Sequence, residues 1–228
     1  VKPFMRWEVQ RRGTSFGGKF FWNDQLREVQ RQILENKKVL RLLGLSGMGK
    51  THLVNEAFGE DDSQKIHYLY INCYSYDFND FRAKLDWLFT NYREAYLVFD
   101  NCDQEIHQRI INLRRELQGS NPILTIYNDP MEESSGGSAT YLMMERAYDD
   151  IIESILSDLP SLNSQVDLDK IKEFSGGIPM IARLLAEGIR REQNIGIITD
   201  ASLMDKVLGV KQGSEERAVL QALSLFSF

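Results

Sequence analysis

Gly44-Leu45-Ser46-Gly47-Met48-Gly49-Lys50-Thr51 follows the pattern Gly, four residues, Gly-Lys-Ser/Thr, and no other stretch constrains the chain as strongly. Glycines tolerate positive φ and leave no Cβ in the way, so such a loop can turn successive backbone N–H groups toward a dense negative charge. A short apolar run at 38–43 precedes it, and residues 51–58 have helical character, giving strand, glycine loop, helix. The helix start adds its positive end to the loop. Phosphate is the ligand this arrangement selects. Lys50 is expected to reach the β- and γ-phosphates of a nucleotide, and the Thr51 hydroxyl to ligate Mg2+. Gly44, Ser46, Gly47, Met48, Gly49, Lys50, Thr51 and His52 are the candidate nucleotide contacts of this stretch.

A second segment, Ala95-Tyr96-Leu97-Val98-Phe99-Asp100, is an apolar strand ending in a carboxylate about 50 residues after the glycine loop. That is the form of a Walker B segment, in which Asp100 holds the magnesium ion through its water shell. The competing reading is a plain strand end, where Asp is a common turn former. Asn101 follows at a position where hydrolysing enzymes of this class often place a second carboxylate. An amide is no base. Asp103 is the substitute candidate if the backbone turns it inward, and equally a surface turn residue. Hydrolysis is therefore expected to be slow, since losing a positioned base costs about 10²- to 10⁴-fold in rate.

Along the rest of the chain, residues 1–23 lack periodicity and read as an entry segment, and 24–36 reads as a helix capped by Asn23 or Asp24. Apolar runs at 66–73, 95–100 and 122–127 alternate with helical patterns at 78–90 and 104–117, and 140–144 offers a fifth strand. Strands alternating with helices argue for an α/β fold, a P-loop NTPase core on a five-stranded parallel sheet covered on both faces. Residues 132–138 read as a flexible surface loop. From 148 the apolar spacing turns helical with no strand between, so the expected domains are 24–147 for the nucleotide-binding part, 148–200 for a small helical domain and 201–228 for the start of a third unit. Gly176-Gly177-Ile178-Pro179 reads locally as a helix stop followed by a proline-started helix.

Composition excludes several classes. With 43% hydrophobic and 26% charged residues among 228, the chain can bury a core, and no apolar run approaches the length of a membrane helix. No signal pattern is visible, which makes the cytoplasm the expected address. A net charge of −6 disfavours nucleic acid as a partner. Cys73 and Cys102 have no zinc-site spacing and read as buried thiols, while His52, His67 and His107 lie apart and read as surface or packing residues. Starting at Val1 and stopping in an apolar helix-like run, the chain reads as a piece of something longer.

A Walker A after a short strand, an Asp-ended strand, a Gly-x-Pro in a following helical domain and a further unit opening at 215–226 together resemble the STAND NTPases. The stretches Leu40 to Thr51, Asp100-Asn101-Cys102-Asp103 with Glu105-Ile106-His107, and Leu124-Thr125-Ile126 look like those of the prokaryotic antiviral STAND proteins called Avs, over most of residues 16–228. The resemblance implies a nucleotide-binding domain, a helical domain and a winged helix. It also implies a switch in which bound ADP or ATP reports a resting or an assembled state. A C-terminal part would sense a foreign protein, the full-length protein would self-associate as a tetramer, and an N-terminal effector, often a nuclease, would then be turned on.

Carried over by position, Gly177 and Pro179 match the Gly-x-Pro whose proline packs near the nucleotide base, and Phe16-Gly17-Gly18-Lys19 stands where STAND proteins have a Gly-Arg segment beside adenine. Phe20, Phe21 and Trp22 either stack on adenine or pack in the core. Thr125-Ile126-Tyr127-Asn128 occupies the place of a Thr-Thr-Arg-like sensor. Its arginine is missing, leaving Asn128 to hydrogen-bond a γ-phosphate without a charge. Two further readings are an AAA+-type motor or loader, which would need a carboxylate where Asn101 stands, and a STAND transcription regulator. A GTPase would need an Asn-Lys-x-Asp segment, which the sequence lacks.

Overall fold

The computed structural model describes residues 19–36, 38–59, 68–73, 81–93, 95–128, 139–146, 149–158 and 165–192. The chain divides into two compact units, Val1–Glu145 and Arg146–Phe228. The segments at 16–18, 132–138 and 201–228, and His67, lie outside the described residues.

In the first unit, helix α1 (Asp24–Glu35) starts at Asn23, whose side chain accepts the Leu26 N–H at 2.9 Å, and it buries Leu26, Val29 and Ile33. Strand β1 (Val39–Leu43) is wholly buried and leads through the glycine loop into α2 (Lys50–Gly59). Then come β2 (Tyr68–Asn72), α3 (Phe81–Asn91), β3 (Tyr96–Asp100), α4 (Gln104–Glu116), β4 (Ile123–Ile126) and β5 (Ala139–Met143). The five strands are parallel in the order β2-β3-β4-β1-β5. Three strands buried along their whole length, β1, β3 and β4, are what a sheet covered on both faces requires.

Because side chains alternate between faces along a strand, each strand has two audiences. Val39, Ile71, Leu97, Phe99 and Ile123 pack with Phe81, Leu85, Leu88 and Phe89 of α3 and Ile110, Ile111 and Leu113 of α4 in one cluster. The opposite face meets α2, where Phe58 stacks on Tyr68 at 4.7 Å and meets Tyr96 edge-on at 5.0 Å. The fifth strand begins one residue before the apolar run at 140–144, because Val39 pairs with Ala139.

The second unit has helices α5 (Asp149–Ser157), α6 (Gln165–Ser175) and α7 (Pro179–Glu192). Ile152, Leu156, Ile171, Ala182, Leu185 and Ala186 form its core. Gly176 and Gly177 take φ of 55° and 76° to end α6, and Pro179 opens α7 at a first-turn position where no N–H is missed.

Candidate functional site

At the C-terminal end of β1 the backbone turns sharply. Gly44, Gly47 and Gly49 have φ of 148°, 80° and 88°. At Gly44 the requirement is also steric, since a Cβ there would stand 2.6 Å from the Met144 carbonyl oxygen. β5 runs beside β1 and brings that carbonyl in, the Met144 N–H donating to Leu43 O at 2.8 Å.

Lys50, 4% exposed, donates from Nζ to the carbonyls of Gly44 at 2.7 Å and Leu45 at 2.8 Å. Burial pushes its ammonium down to about 8, while Asp100 opposes that shift. The Thr51 hydroxyl donates to Asp100 Oδ2 at 2.8 Å, so the glycine loop and the Asp-ended strand meet in space although 49 residues apart. Two hard oxygen donors at that separation fit the ligand chemistry of magnesium. Among the described residues no cluster of three or more His, Cys, Asp or Glu side chains offers another metal site.

Two residues at this corner escaped the sequence reading. The hydroxyl of Tyr70, on β2, donates to Asp100 Oδ2. Burial first, and then the adjacent Asp100 charge, drive its phenol well above the usual range and keep it a donor. Asn72 accepts from Asn101 Nδ2 at 3.1 Å. Both follow from the register that sets Tyr70 opposite Val98 and Asn72 opposite Asp100. A sequence carries no mark of that register. The only available signal was the spacing Tyr68, Tyr70, Asn72, which puts three polar-tipped side chains on one strand face.

Asn101 adopts φ of 54°, the left-handed region that Asn tolerates better than most residues. Its N–H returns to Asp100 Oδ1 at 2.8 Å. Backbone geometry therefore gives an Asn its own reason to stand there. Asp103 caps α4, with Oδ1 accepting the Ile106 N–H at 2.8 Å. That is a structural duty at the start of α4. His52, one residue past Thr51, meets Phe20 edge-on at 4.8 Å and lies 3.5 Å from Glu56. Phe20 in turn packs edge-on with Trp22 at 4.7 Å. Asn128 follows β4 by two residues and is half-buried, and Pro179 belongs to the second unit.

On the opposite face of the sheet lies a second polar group. Arg41, fully buried, donates from Nη1 to Cys102 O at 2.9 Å and Thr125 Oγ1 at 3.2 Å. Thr125 Oγ1 lies 2.9 Å from Nδ1 of His107, whose Nε2 has no partner among the described residues. Burial, then the Arg41 charge, push the imidazole down to about 3, so it is neutral at ordinary pH.

No family model and no curated protein matches the chain. Among solved structures it is similar to a STAND signal-transduction ATPase with a tetratricopeptide-repeat sensor from Pyrococcus horikoshii, at 17% identity and a TM-score of 0.55. That match covers 92% of this chain and 35% of the other, so the chain spans about a third of that protein's length. It is also similar to a Walker-type ATPase of Pyrococcus abyssi, at 13% identity and a TM-score of 0.59, covering 92% of this chain and 77% of the other. What is shared at these identities is the fold, an α/β P-loop NTPase core.

Proposed function

We propose that this chain is the ATP- or ADP-binding switch module of a STAND-type NTPase. The observation that carries the proposal is the meeting of Lys50, Thr51 and Asp100 at one corner of the sheet, with Asp100 Oδ2 2.8 Å from the Thr51 hydroxyl. In this reading the N–H groups of residues 44–51 and the Lys50 ammonium take the phosphates. Thr51 and Asp100 hold Mg2+, which neutralises phosphate charge. His52 and Asn128 are proposed as further nucleotide contacts.

Turnover is proposed to be slow. Asn101 offers no base, and Asp103 Oδ1 is engaged at the start of α4. Finer parts of the reading rest on sequence resemblance: a role in antiviral defence, tetrameric assembly of the full-length protein, a sensed foreign protein, an effector outside residues 1–228 and a cytoplasmic address. No helix among the described residues is long and apolar enough to cross a membrane.

The test is to denature purified protein, identify released nucleotide by chromatography, and follow ATP turnover of the native sample. Stoichiometric ADP or ATP with negligible turnover supports the switch. An empty protein with rapid turnover would favour an AAA+-type motor instead.

A further inference from the structure

Tyr70 makes no phosphate contact in the function proposed above, yet it holds the carboxylate on which that function depends. Asp100 is 5% exposed and accepts three donors. Oδ1 takes the Asn101 N–H at 2.8 Å, while Oδ2 takes both the Thr51 hydroxyl at 2.8 Å and the Tyr70 hydroxyl. A carboxylate oxygen has about two lone-pair directions, so Thr51 and Tyr70 together fill Oδ2.

The two donors differ in what they can do next. A threonine hydroxyl can offer a lone pair to a cation while its O–H still donates to the carboxylate. Thr51 therefore has no need to leave Oδ2 when magnesium is held. Tyr70 projects from the neighbouring strand β2, whose backbone pairs with β3. Its hydroxyl takes up acceptor capacity that a cation's hydration water would otherwise use. A hydrogen bond to an ionised acceptor is among the stronger ones in a protein, so this occupancy is not trivially displaced.

We propose that Tyr70 is a built-in competitor for the divalent cation at Asp100, so that the magnesium concentration at which nucleotide is held as its metal complex is set by this hydroxyl. The inference rests on the nucleotide reading above. It assigns Tyr70 a positioning role that acts through Asp100.

The experiment titrates Mg2+ into the chain loaded with a fluorescent ADP analogue and compares it with Tyr70→Phe, which keeps the ring and removes only the hydroxyl. A parallel arm measures analogue affinity in EDTA. The expected result is a magnesium midpoint lowered about 10-fold, the low end of what a hydrogen bond to a charged group is worth. Affinity in EDTA should be unchanged. Tyr70→Leu, which deletes the ring as well, should move the midpoint in the same direction. A midpoint that stays put or rises in both variants overturns the competitor role while leaving nucleotide binding intact. No binding of the analogue to the native chain, with or without magnesium, removes the nucleotide reading and this inference together.

Discussion

The two faces of the sheet both carry buried polar side chains, Lys50 and Asp100 on one and Arg41, Thr125 and His107 on the other, with opposite meaning. On the α2 face, Lys50, Thr51, Tyr70 and Asp100 converge where β1 and β3 end and a glycine loop opens. On the α4 face, Arg41, Thr125 and His107 are closed in by the strands and α4, and all three are fully buried. Buried polarity alone does not mark a site. What separates the two is position, because ligands of α/β sheets bind beyond the carboxyl ends of the strands. The α4-face group instead ties the turn after β3 to β1 and β4, through Arg41 to Cys102 O.

The largest effect expected from breaking this comparison is on stability. Arg41→Ala leaves the Cys102 carbonyl and the Thr125 hydroxyl short of a donor and opens a cavity. It should cost about 3 to 5 kcal/mol in urea unfolding. Lys50→Ala takes a donor from the Gly44 and Leu45 carbonyls but also removes a desolvated ammonium, so it should cost less in unfolding than Arg41→Ala, while nucleotide binding loses about 1.5 to 3 kcal/mol, or roughly 10- to 150-fold in affinity. If Lys50→Ala melted the fold while Arg41→Ala left it untouched, the assignment of the two faces would be inverted.

A pH series sharpens the contrast. His107 is held at about 3 when folded against 6.5 unfolded. Below 6.5 the unfolded chain takes up a proton that the folded chain refuses until about 3, so stability falls as pH drops through that window. Between pH 8 and pH 5 the loss from this one group is about 2 kcal/mol by linkage. His107→Leu should flatten the slope by that amount. An equal slope in both proteins would place the acid sensitivity elsewhere. The smallest expected effect is at Asn101. Asn101→Ala must hold φ of 54° without the tolerance of an amide side chain, at about 1 to 2 kcal/mol of stability. A variant as stable as the parent would remove the backbone reason for an Asn there.

How much of this was legible in the sequence follows from how local each feature is. The alternation of strands with helices, and the five-stranded parallel sheet, follow from periodicity and turn residues, which act within a few positions. The glycine loop is a contiguous pattern. Strand order is different, since β1 lies between β4 and β5 rather than beside β2, and no local rule states that. Tyr70 was hidden for the same reason. Its meeting with Asp100 depends on which strand pairs with β3 and in what register. In the sequence Arg41 is a lone charged residue among Val39, Leu40, Leu42 and Leu43. Only the placement of Thr125 and Cys102 around it shows where its donors go. Asn101 invited a chemical reading, a missing base, and the structure adds a conformational one.

The most direct test of the central claim is equilibrium dialysis of the nucleotide-stripped chain against labelled ATP with magnesium. The account predicts one nucleotide retained per chain at saturation, displaced by unlabelled ADP and weakened by Lys50→Ala. No retention of label, or retention untouched by Lys50→Ala, would contradict it.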